Sequence, residues 1–173
     1  MKEFNQFLKS YLFPISLILI LSFSRLIPHP PNFTPILAVG LFSGFYFRNF
    51  LLAVLIVIFS MFLGDLYLGF HNTMFFTYIS LFIAVAIGFL IKYFKFIEII
   101  FGGLASSVCF FVITNFGAWL TLPMYEKNFT GLLQSYVMAI PFFHNTLIST
   151  FLYLIVLKLL FDLVIKKTST ISA

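Results

Sequence analysis

An all-α integral membrane bundle of about six transmembrane helices is the fold class that the sequence predicts, and three observations predict it. First, 62% of the 173 residues are hydrophobic, including 27 phenylalanines, and the mean hydropathy is +1.12. A water-soluble domain cannot hide that much apolar surface. Second, only 9% of the residues are charged, and the lysines sit beside apolar runs rather than along one polar face. The formal charge of +5 therefore reflects lipid headgroups and topology rather than nucleic acid. Third, apolar runs recur along the whole chain with no repeat and no separate soluble stretch, so residues 1–173 read as a single transmembrane domain.

A spanning helix needs about 20 mostly apolar residues, fewer where protein surrounds it. On that scale spans fall near residues 10–27, 34–47, 50–64, 74–91, 97–121 and 142–165. The second and third are short, and a re-entrant hairpin competes with two full crossings there. Residues 132–140, "LLQSYVMAI", precede Pro141. Proline disfavours helical geometry in the residue before it, which predicts a separate short helix leading into the last span. Cys109, the only cysteine, lies in an apolar run and excludes an internal disulfide and a multi-cysteine metal site.

Positive charge orients the bundle. With a cytoplasmic N-terminus the inner side collects Lys2, Lys9, Arg48, Lys92, Lys95, Lys158, Lys166 and Lys167, which leaves Arg25 and Lys127 outside. The positive-inside rule then favours both termini in the cytoplasm and an even number of spans in a multi-pass protein. A signal peptide is the competing reading of the first segment, because Lys2 and Lys9 precede a short apolar core.

This topology gathers the unusual polar residues on the outer side. Arg25, His29 and Asn32 fall in the first outer loop, and Asp65, Tyr67 and His71 in the second. Trp119 and Tyr125 belong to the third, and His144 and Asn145 open the last span. A carboxylate in an apolar segment is costly and pairs with a cation or faces a polar cavity, and Arg25 is the natural partner of Asp65. Asn115 and Trp119 are four apart and share a helical face. Trp119 is also the residue type of an interfacial anchor. No two histidines have the spacing that puts metal ligands on one helical face, so no metal is expected.

"SRLIPHPPNFTP", residues 24–35, holds four prolines. They remove amide donors and predict an extended, rigid connection that fixes Arg25, His29 and Asn32 over the bundle end. Gly40 with Gly44, Gly102 with Ser106, and Gly103 with Ser107 have the small-xxx-small spacing of close helix packing.

Four stretches carry a resemblance: "SRLIPHPPNFTPILAVGLFSG" (24–44), "GDLYLGFHNTM" (64–74), "SSVCFFVITNFGAWL" (106–120) and "GLLQSYVMAIPFFHNTL" (131–147). Together they resemble DUF6580, a bacterial family of small membrane proteins. That family is in turn similar to the substrate-binding S components of energy-coupling factor (ECF) vitamin transporters. The resemblance implies a six-helix bundle that binds a vitamin or related micronutrient from its outer face. It also implies docking on an ECF coupling subunit driven by two ATPases, with no nucleotide site in this chain. The group often docks through an alanine-x-x-x-alanine surface on the first helix, whereas this first span reads "FPISLILILSFS".

The expected function is therefore a substrate-binding membrane subunit for uptake of a vitamin-like small molecule, not an enzyme, with no cofactor. Its candidate site comprises Arg25, His29, Asn32, Asp65, Tyr67, His71, Asn115, Trp119, Tyr125, His144 and Asn145. An enzyme would need Asp65 with His71 or His29 as acid and base, and no nucleophile motif accompanies them. A structural or assembly protein is the third class. It accounts for the small-residue faces but not for the outer polar cluster.

Overall fold

The computed structural model describes residues 12–171. Lys2, Lys9, the start of the first expected span and the side chains of Lys166 and Lys167 lie outside the described residues. Among the described residues six α-helices follow one another: α1 Phe13–Phe23, α2 Ile36–Phe47, α3 Phe50–Leu68, α4 Met74–Leu90, α5 Phe96–Thr121 and α6 Phe129–Ile171. No strand occurs among the described residues.

α2 is the axis of the bundle. Ten of its 12 residues are buried, and it packs on α1, α3, α4, α5 and α6. At 1.5 Å per residue it is about 18 Å long, short of the about 30 Å hydrocarbon core, which explains its brevity in the sequence. Protein rather than lipid surrounds it. Gly44 and Gly88 permit the tightest crossing, because a Cβ on either would overlap the Val85 or Leu41 carbonyl of the facing helix. Gly102 and Gly103 likewise pack inward, against Leu41 and Leu154. The small-residue faces are thus spent on internal contacts.

α3, α5 and α6 are each long and apolar enough to cross a membrane. Leu51, Leu55, Phe59, Phe62 and Leu66 of α3 form an exposed stripe at helical spacing. Such an outward apolar stripe suits lipid and not water.

Three details depart from the sequence reading. The third span runs on to Leu68 and ends where Gly69 adopts a positive φ of 94°, so it is a full-length helix rather than part of a short hairpin. The proline-rich loop is not extended throughout. The Phe33 amide donates to the Pro30 carbonyl at 3.0 Å with Asn32 at φ 62°, the Pro-Asn arrangement of a type II turn. Finally, no separate short helix precedes Pro141, because α6 is continuous through it. Proline inside a helix deletes one backbone bond. The Tyr136 hydroxyl, donating to the Val112 carbonyl at 3.0 Å, holds the preceding turns alongside α5 in line with the rest.

Candidate functional site

The local conformations at the proline-loop end place the polar residues. α1 passes into a 3₁₀ turn, Ser24–Leu26, and Ile27 is extended before Pro28, as a residue preceding proline prefers. Arg25 is thereby held in the last helical turn, facing α3. Its Nη1 lies 3.0 Å from Asp65 Oδ1, which is the ion pair expected from the sequence. The Tyr78 hydroxyl of α4 donates to Asp65 Oδ2 at 2.9 Å, so one carboxylate ties three helices together. Asp65 is only 1% exposed, and burial at that depth requires both of these partners. Gly64 makes room for the guanidinium: a Cβ there would stand 3.3 Å from Arg25 Nη1 and 3.4 Å from Cδ.

Asn145 of α6 donates to the Pro31 carbonyl at 3.0 Å, and Phe33 packs edge-on against Tyr153 of the same helix. The turn is thereby pinned to α6. His29 is folded into its own loop, with Nδ1 2.8 Å from the Pro30 carbonyl and Nε2 3.1 Å from the Arg25 carbonyl.

Beneath this loop lies a cavity of about 400 Å³. Arg25, His29, Asn32, His71 and Asn115 line it, five of the residues singled out from the sequence. Sequence reasoning missed the threonines: Thr34, Thr73, Thr77, Thr114, Thr146 and Thr150 all contribute to the wall. Thr77, Thr114 and Thr146 donate to carbonyls one turn back in their own helices, which leaves their oxygens able to accept from a ligand. Asn115 Nδ2 does the same toward Phe111, leaving Oδ1 free. Thr150 differs from all of these. It is 1% exposed and its hydroxyl has no partner.

A family comparison matches residues 5–171 to a family of unknown function, DUF6580. The chain belongs to DUF6580. Comparisons with curated proteins and with solved structures give no match to this DUF6580 chain.

The remaining sequence candidates of this DUF6580 protein stand apart from the cavity. Asp65 lies behind Arg25 rather than on the wall. Tyr67 is 79% exposed on the outward face of α3. The Trp119 indole donates to the Glu126 carbonyl at 2.9 Å, and Lys127 donates to the Trp119 and Leu122 carbonyls. Trp119 therefore fastens the α5–α6 turn. Tyr125 is half-buried in that turn. The exposed ring of His144 bonds back to the Ile140 carbonyl, and Asn145 serves the proline loop. The segment 125–140 is tied down by these bonds together with those of Asn128 and Tyr136.

One spacing in the sequence pointed to the missed residues. Thr73 with Thr77 and Thr146 with Thr150 are each four apart, so each pair shares a helical face. Among the described residues, no group of three or more His, Cys, Asp or Glu side chains is arranged to hold a metal ion.

Proposed function

We propose that this DUF6580 protein is a substrate-binding membrane subunit, similar to an S component, that captures a vitamin-like small molecule from the outer face of the bacterial cytoplasmic membrane for uptake. The observation that carries the reading is the cavity itself. It concentrates amide, hydroxyl, imidazole and guanidinium groups at one end of an otherwise apolar bundle. Its volume falls in the range of small-ligand sites, about 300–1,000 Å³. Arg48, Lys92, Lys95 and Lys158 belong to the opposite end, where Arg48 donates to the Ile91 carbonyl and Lys158 sits over Phe96. That distribution supports an outward-facing cavity with cytoplasmic termini. Docking on a coupling subunit with two ATPases rests on the family resemblance. α1 presents the large side chains of Ile20 and Phe23 there in place of alanines.

Native mass spectrometry of the protein, purified in mild detergent from a rich-medium culture, tests the reading. A defined small-molecule adduct that disappears in an Asn115→Ala, Thr150→Val double variant is the expected result. A bare protein mass together with no saturable binding of vitamins overturns it.

A further inference from the structure

The cavity wall is one-sided in charge. Arg25, His29 and His71 are its ionisable members, and no aspartate or glutamate lines it. Asp65 is withdrawn behind Arg25, with its two oxygens turned to Arg25 and Tyr78. Arg25 in turn uses a single nitrogen: Nη1 serves both Asp65 and the Met61 sulfur. A guanidinium has five N–H donors, so those on Nε and Nη2 remain unpaired at a residue that lines the cavity. That edge has the fork geometry that matches a carboxylate or phosphate. Asp65 and the space left by Gly64 hold the fork in position before any ligand arrives.

A second observation points to a ligand independently. Thr150 is fully buried, lines the cavity and leaves its hydroxyl without a partner. Orphaned buried hydroxyls are costly, and a residue in a cavity wall can satisfy its hydroxyl by turning it to what occupies the space. Asn115 Oδ1 supplies an acceptor on α5. Leu37, Phe110 and Leu122 supply apolar wall between these polar points.

Building on the uptake reading, we infer that the solute is a small organic anion whose carboxylate-class group seats on the free edge of Arg25. A second polar group on it bonds Thr150, and a donor meets Asn115. A cationic solute finds no carboxylate on the wall and meets the like charge of Arg25.

The test uses probes of one shape and three charges: benzoate, benzamide and benzamidinium, with the corresponding naphthalene-2-substituted series. Thermal unfolding of the full chain is followed in phosphatidylcholine nanodiscs as each probe is titrated, for the wild type and for Thr150→Val. The carboxylates are expected to bind at least about tenfold more tightly than the amidinium forms, a difference of about 1.4 kcal/mol, with the amides between. Thr150→Val is expected to weaken the carboxylates at least about threefold while the protein stays folded. Equal shifts for the three charges, or the largest for an amidinium, overturn the anion. If an amide or amidinium binds best and in a Thr150-dependent way, the cavity reading survives and the charge inference alone falls. No Thr150-dependent shift with any probe also overturns the anion, and the uptake reading is then judged by its adduct experiment. Repetition in nanodiscs containing phosphatidylglycerol separates the sources of anionic chemistry. An unchanged order supports a dissolved anion, and loss of the carboxylate effect assigns the site to a lipid headgroup and overturns the solute.

Discussion

The two ends of the bundle are built from opposite chemistry. At the lysine end, Phe42, Phe45, Tyr46, Phe94 and Phe161 close around the C-terminus of α2, with Phe45 and Phe94 stacked at 4.6 Å and Phe161 edge-on to Phe94 at 5.7 Å. Aromatic edges and faces fill volume and leave few polar atoms to satisfy. At the proline-loop end the same helices carry threonine, asparagine and one arginine, and the space between them stays open. The difference teaches where binding energy is available. The filled end supplies stability, and the hollow end keeps the Thr150 hydroxyl and a guanidinium edge unpaired at a cost in stability that a ligand would offset. With one end packed by rings, a solute in the cavity has no straight path through the bundle.

Substitutions at either end break or sharpen this contrast. The largest effect is expected for Asp65→Ala, which leaves Arg25 without its counter-charge, 14% exposed between helices. A loss of about 3–5 kcal/mol is expected, read as an early unfolding transition in detergent together with loss of binding. Phe94→Ala at the filled end is expected to cost about 3–5 kcal/mol as a cavity mutation. Unlike Asp65→Ala, it should leave ligand affinity within about twofold when measured below its lowered transition, because sites this far apart act independently. Thr150→Val reverses the sign. Removing an orphaned buried hydroxyl at nearly constant shape should stabilise the empty protein by about 1 kcal/mol in thermal unfolding while weakening binding. The smallest effect belongs to Asn145→Ala, which removes one bond to the Pro31 carbonyl. About 0.5–1.5 kcal/mol is expected, with faster hydrogen exchange confined to the amides of Phe33 and Thr34 in the proline loop.

The contrast between the ends was only partly legible in the sequence. The six apolar segments, the shortness of α2 and the Arg25–Asp65 pair follow from hydropathy, from prolines at the loop and from the cost of a lone buried charge. Threonine hides in the same reading, because a hydroxyl that bonds its own helix backbone is tolerated inside apolar segments. Thr77, Thr114 and Thr146 do that, and only the fold turns their faces toward one space. Trp119 and Tyr67 stand apart from the cavity for a different reason. Their positions relative to it depend on helix rotation, which residue type does not encode. The unbroken α6 was missed because the restriction before proline is a local preference that tertiary contacts such as Tyr136 to Val112 override.

The most direct measurement of the central claim is native mass spectrometry of the wild type beside Thr150→Val alone, each paired with its unfolding temperature. A small-molecule adduct on the wild type, missing from a Thr150→Val protein at least as stable when empty, is the predicted result. An adduct retained in full by Thr150→Val, or absent from both proteins, would contradict a ligand in this cavity.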